Sequence, residues 1–211
     1  MGSSSTFASG FYGAEPLELC TKAMEAFRRE AENCESVECI QITHSMTGGS
    51  GSGLQSKLLS EITLEYPELP IHGIAVAPSS GVSNSVLDVY NFVLGSRSLI
   101  EWNSITNLIQ NSCLSRICCQ HQNIFKPTFR SMNDIVARLA SNITLSIRFP
   151  GNLNTGIRKI NTNLIPFPRL HFLTAGMTPF SAHSSRGLKT AESFIASAYA
   201  CSSLLSEIDW R

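Results

Sequence analysis

The sequence predicts an α/β fold: a parallel sheet flanked by helices, a long central helix, and the start of a second, α+β domain. Three observations predict it. Short apolar runs alternate with segments of helical periodicity from Pro16 to Gln120, the rhythm of strand-helix-strand units. A glycine-rich turn, Thr47-Gly48-Gly49-Ser50-Gly51-Ser52-Gly53, joins one such run to a helical pattern. One broad apolar stripe then occupies Phe129 to Ile147.

Taken in order, residues 1–12 are small, polar and Gly/Ser-rich and are expected to form a loop. From Pro16 to Cys34 the positions Cys20, Ala23, Met24, Phe27 and Ala31 recur at helical spacing. Lys22, Glu25, Arg28, Arg29, Glu30 and Glu32 occupy the other face, so this is an amphipathic helix packed on a sheet. Proline near its start suits a first helical turn. Cys39 to Ser45 reads as a strand, and Leu54 to Tyr66 as a helix with Leu54, Leu58 and Ile62 on one face. Ile71 to Ala77 is a short buried strand followed by a loop at Pro78-Ser79-Ser80-Gly81. Helices are expected over Ser85–Leu94 and Ser112–Gln120. The stripe from Met132 to Ile143 predicts a helix buried between two layers, ended by Phe149-Pro150-Gly151. Leu170–Met177 is strand-like and Ser193–Ile208 helical. The expected division is 1–128, a nucleotide-binding unit; 129–150, the central helix; and 151–211, the opening of a second domain.

Composition bounds the function. Hydrophobic residues make up 43% and charged residues 15%, as in a globular chain rather than a disordered one. Sixteen basic residues balance sixteen acidic ones, which argues against electrostatic nucleic-acid binding. No apolar run is long enough to span a membrane, and the N-terminal residues lack a signal-peptide core, so a cytoplasmic protein is expected. The seven cysteines form no CxxC pair and are expected to be reduced and mostly buried. The five histidines do not sit at zinc-ligand spacing from them.

The glycine turn carries the chemistry. Glycines at a strand end let backbone N–H groups approach an anion, and the following helix adds partial positive charge there. A Walker A loop needs GxxxxGK, but Gly53 is followed by Leu54 and the nearest lysine is Lys57. A GxGxxG fingerprint is also absent, since Gly51-Ser52-Gly53 leads into Leu54-Gln55-Ser56. Read from the residues alone, the turn is a nucleotide-phosphate cradle of another kind or a Gly/Ser linker.

At this point the chain resembles the tubulin superfamily. Thr43-His44-Ser45 and the turn TGGSGSG are similar to that family's THS and GGGTGSG; Arg148 to Asn154 is similar to RFPGxLN; and PFPRLHF stands unbroken from Pro166 to Phe172. The motifs stand in the family's order and cover about the middle half of a tubulin, most nearly of β type. The resemblance implies GTP or GDP as ligand, with magnesium accompanying GTP on ligands outside this chain. It places Ser45, Gly48, Gly49, Ser50 and Gly51 around the phosphates. Val82 to Asn91 resembles the family's sugar loop, with Asn84 for its aspartate and Asp88 for the glutamate that accepts ribose hydroxyls. Asn111 and Asn133 match the asparagines that read the purine, and Phe129 takes the place of a stacking tyrosine.

The resemblance further implies an interface loop at Gly151, Asn154, Gly156 and Lys159, and a lateral contact at Ser184, Ser185, Arg186 and Gly187. In the family's GxxNxD pattern Gly156 replaces the aspartate. Lys159 stands where α-type chains carry a catalytic glutamate, so no catalytic residue is assigned and hydrolysis is expected only within a polymer, if at all. The partners implied are other tubulin subunits in microtubule-type polymers of the cytoskeleton, with no nucleic acid and no membrane. Two other functions stay open: a nucleotide-inert interaction or regulatory protein (or a degenerate, non-assembling fragment), and a metabolic α/β enzyme using the turn for a cofactor.

Overall fold

The computed structural model describes residues 5–79, 85–121, 124–149 and 156–176. Among these residues four parallel strands form one sheet in the order β1-β2-β3-β4: β1 Ile40–Ser45, β2 Ile71–Ala77, β3 Ile105–Gln110 and β4 Phe172–Leu173. The register aligns Ile40 with Ile71 and His72 with Ile105, so the C-terminal ends of β1, β2 and β3 lie together at one edge. β2 is buried along nearly its whole length, as a central parallel strand covered on both faces must be.

Helices cover both faces. On one side α2 (Ala14–Glu32), α3 (Gln55–Glu65) and α4 (Leu87–Trp102) enclose Met24, Ile40, Met46, Leu59, Ile62, Ile71, Ala75 and Leu99. On the other, α5 (Asn111–His121) and α6 (Phe129–Ile143) pack Leu114, Ile117, Cys118, Met132, Ile135 and Val136 over Ile74. Alternation along β2 sends Ile74 to one core and its neighbours Ala75 and Ile71 to the other.

Several expectations are corrected. Residues 7–12 are not loop: Phe7–Tyr12 forms a helix, α1. It lies against the glycine turn so closely that a Cβ on Gly10 would stand 1.9 Å from the Gly49 carbonyl oxygen. Asn91, buried on α4, fastens its start by accepting from the Phe7 N–H and donating to the Ser5 carbonyl, both at 2.8 Å. Strand β3 was not foreseen, because its buried positions Thr106 and Asn107 are polar. Asn107 donates to His72 Nε2 at 2.7 Å and Thr106 accepts from Asn103 at 3.0 Å, which offsets the cost of burying them.

α4 runs eight residues past the expected end at Leu94, through Gly95 and Ser98. Those small residues are contacts, not a break: Ser98 and Ser56 hydroxyls meet at 2.5 Å, and Gly95 leaves room for Ser52. The stripe from Phe129 to Ile147 divides into α6 and a single turn, α7 (Leu145–Arg148). Among the described residues α6 buries one face only, with Asn133, Asp134 and Ala137 exposed on the other. A further helix, α8 (Ile157–Leu164), was also not foreseen. Of six cysteines described, all free thiols, three are buried, two are half-buried and Cys34 is exposed, fewer buried than expected.

The expected strand at Leu170–Met177 is Phe172–Leu173 within the described residues, and it extends the same sheet beside β3. His171, fully buried just before it, ties this segment to α4 through Nε2 and the Leu99 carbonyl at 3.0 Å. The helix expected at Ser193–Ile208 lies outside the described residues. No described helix is long and apolar enough to cross a membrane.

Candidate functional site

A cavity of about 830 Å³ opens where the three long strands end. Ligands in open parallel α/β sheets bind at the carboxyl ends of the strands, because loops and helix N-termini converge there. β1 contributes Thr43, His44 and Ser45, followed by Thr47; β2 contributes Val76, and the loop after it Pro78 and Ser79. Ser85 and Asp88 reach the wall from the start of α4, and Asn111 from the junction of β3 and α5. α6 supplies one face, Phe129, Asn133, Val136, Ala137 and Ala140, at the three- and four-residue spacing of a helix side.

The local sequence explains these placements. Thr128 caps α6 by accepting from the Ser131 N–H at 3.4 Å, which fixes the helix start, and Phe129 there is 67% exposed at the rim. Asn133 follows one turn later on the same side. Asn111 is held at the end of β3 by the parallel register that aligns Ala77 with Gln110. An asparagine amide offers two donors and an acceptor, so two of them beside an aromatic ring can read a heterocycle's edge while the ring stacks on its face.

At the other end, the glycine turn is a π-helical segment, Gly49–Leu54, running directly into α3. Such wider-wound turns concentrate at functional sites. Gly48 precedes it with φ +71°, a conformation that glycine takes without strain. Gly51 is excluded from bearing a side chain for another reason: its Cβ would stand 2.2 Å from the Ser45 carbonyl oxygen. Thr47, where the resembling motif has glycine, is accommodated by a hydroxyl pair with Ser45 at 2.8 Å.

Of the residues singled out in the sequence, the structure brings Ser45, Asp88, Asn111, Phe129 and Asn133 to one cavity. Gly48, Gly49, Ser50 and Gly51 are not among its lining residues; they continue from Thr47, which is. Asn84, Gly151, Asn154 and Ser184 to Gly187 lie outside the described residues. Gly156 and Lys159 belong to the start of α8, not to the cavity wall. A Cβ on Gly156 would lie 3.2 Å from the Glu38 carboxylate.

Ser79 and His44 are among the lining residues not assigned from the sequence. Ser79 is 6% exposed, and its hydroxyl has no hydrogen-bond partner among the described residues. His44 stands 3.0 Å through Nδ1 from the Gly51 carbonyl oxygen, and its buried Nε2 has no partner among the described residues. Burial pushes the His44 pKa below the ordinary imidazole value, so the ring is neutral near pH 7. Their positions at the C-terminal ends of parallel strands were the available signal. Among the described residues, no group of three acidic, histidine or cysteine side chains is placed to hold a metal.

A family model described as "Tubulin/FtsZ family, GTPase domain" matches residues 1–119. The tubulin beta-1 chain of Hypocrea rufa is 39% identical over 194 residues, covering 90% of this chain and 43% of its own length. The tubulin beta-1 chain of Chondrus crispus is 40% identical over 189 residues, covering 90% and 42%. That of Mus musculus is 40% identical over 194 residues, covering 90% and 43%. The chain therefore spans about two fifths of the length of these relatives.

Proposed function

The chain belongs to the tubulin/FtsZ family, and on that premise we propose that it is part of a β-like tubulin that binds a guanine nucleotide in the cavity at the strand ends. The observation that carries this reading is convergence: Asp88, Asn111, Phe129 and Asn133, on three separate elements, meet the end of β1 around a single cavity. In the proposed pose the phosphates lie toward Ser45, Thr47 and the N–H groups of the turn from Gly48 to Gly51. The ribose lies at Asp88 with Asn84 nearby in sequence, and the base stacks on Phe129 between the two asparagines. The residues present suit such a ligand. The buried Ser79 hydroxyl lacks a partner among the described residues, and an unpaired buried polar group costs about 1–3 kcal/mol until something bonds it.

The same reading makes the whole protein a subunit of microtubule-type polymers in the cytoskeleton, with other tubulin subunits as partners. Magnesium accompanies GTP, held by groups other than those of this chain. Gly151, Asn154, Gly156 and Lys159 form the contact to the next subunit's nucleotide, and Ser184 to Gly187 a lateral contact. The boundaries at 128 and 150 belong to this proposal too. One observation favours a second reading, a subunit that holds nucleotide without promoting a neighbour's hydrolysis. Gly156 carries no carboxylate, and Lys159 on the same helix turn is not an acid that orients a water.

Equilibrium dialysis with GTP tests the main proposal. Asn111→Ala combined with Asn133→Ala removes the base-edge contacts, and two hydrogen bonds of ordinary strength amount to a loss of affinity of about fivefold to a hundredfold. Unchanged affinity in the double variant would refute the assignment.

A further inference from the structure

We propose that His44 is a positioning residue for the phosphate end of the cavity: its Nδ1–H holds the Gly51 carbonyl against the end of β1 and thereby fixes the direction of the glycine turn's amides. This rests on the nucleotide reading above and assigns the turn a support outside its own sequence.

The geometry is specific. Nδ1 lies 3.0 Å from the Gly51 carbonyl oxygen and 3.2 Å from that of Ser45. Both partners are acceptors, so the ring must carry its proton on Nδ1, and one N–H serves two carbonyl groups. These carbonyls come from chain segments in direct contact, since only the missing side chain of Gly51 allows the Ser45 oxygen so close. Without a proton between them, two carbonyl oxygens would face each other at the junction of strand and turn. The turn would relieve that by rotating a peptide plane. A peptide's C=O and N–H point in opposite directions, so releasing the Gly51 carbonyl also redirects the Ser52 N–H, the next amide of the turn, and with it the course of the turn that follows Thr47.

The base end has no such dependence. Asn111, Phe129 and Asn133 stand on α5 and α6. His44 therefore acts on recognition of phosphate and leaves recognition of the base alone. It also accounts for a half-buried histidine whose Nε2 makes no bond among the described residues: the Nδ1 contact is the one its position serves.

The test compares GTP with guanosine, which lacks phosphates, on the 211-residue chain and two variants. In His44→Asn the amide nitrogen occupies the branch that Nδ1 held, whereas in His44→Gln it reaches the place of Nε2. His44→Gln is expected to weaken GTP about tenfold while guanosine affinity stays unchanged, and His44→Asn to recover most of the loss. Parallel loss of both ligands in His44→Gln, or no recovery in His44→Asn, would overturn the inference while the nucleotide reading stands. A wild-type chain that binds neither ligand would overturn both. Should His44→Gln fail to fold, nitrogen NMR of the wild-type histidine decides: a proton on Nδ1 is expected, and a proton on Nε2 alone would overturn the proposal.

Discussion

Replacing Gly10 with alanine sets two effects of opposite sign against each other. Alanine is the better helix former, and by propensity alone the substitution would stabilise α1 by up to about 1 kcal/mol. Packing opposes this. The new Cβ would lie 1.9 Å from the Gly49 carbonyl oxygen, 2.6 Å from its carbon and 3.0 Å from the Leu54 nitrogen. All three are backbone atoms, so no rotamer change relieves the contact. Gly53 faces the same junction from the other side, where a Cβ would stand 2.3 Å from the Phe7 carbonyl oxygen. Overpacking of this kind costs about 1–3 kcal/mol or more. The net expectation is a loss of roughly 2 kcal/mol, which in a chain of this size lowers Tm by about 4–8 °C. Because Gly49 opens the π-helical turn, GTP affinity should fall as well. Thermal unfolding and GTP titration of Gly10→Ala provide the assay. A stability equal to wild type or higher, with affinity intact, would refute the packing of α1 against the turn.

Two further outcomes concern the buried histidines and the start of α8. Burial depresses the pKa of both His44 and His72, so the unfolded chain binds more protons than the folded one as pH falls below about 6.5. The stability these neutral rings contribute is complete above that value and lost toward lower pH. Urea unfolding should therefore show a midpoint that is flat from pH 7 to 8 and declines below about 6.5, whereas a flat midpoint down to pH 5 contradicts it. Gly156→Asp would set a second carboxylate beside Glu38 at the start of α8. The expected cost is about 0.5 kcal/mol, relieved by adding Glu38→Gln; additive effects in the double-mutant cycle would show that the two sites do not interact.

Much of the fold was legible because its cores are apolar and periodic. The amphipathic stripe of α2, the alternation in β1 and the apolar run Ile74-Ala75-Val76-Ala77 in β2 each match one period and one environment. β3 was illegible for a physical reason: Thr106 and Asn107 are buried, and their partners, Asn103 and His72, come from the preceding loop and the adjacent strand. A reading by hydropathy sees polar residues and assigns no strand. α1 and the second half of α4 were missed because small residues read as loop, whereas Gly10 and Gly95 are small so that backbones can approach.

The site was legible in a different way. Asn111, Phe129 and Asn133 carry no local signal, since each alone is an ordinary turn or helix residue; their family spacing singled them out, and the fold brings them to one wall. His44 sat inside a quoted motif, yet its bond to Gly51 depends on the strand end folding back on the turn, which no spacing displays.

The most direct measurement follows GTP binding by NMR, using the backbone amides of Gly48 to Gly51 and the side-chain amides of Asn111 and Asn133. A nucleotide spanning the cavity would shift both sets along one saturation curve. Shifts in one set alone, in neither, or along two distinct curves would contradict a single guanine nucleotide lying between the glycine turn and α6.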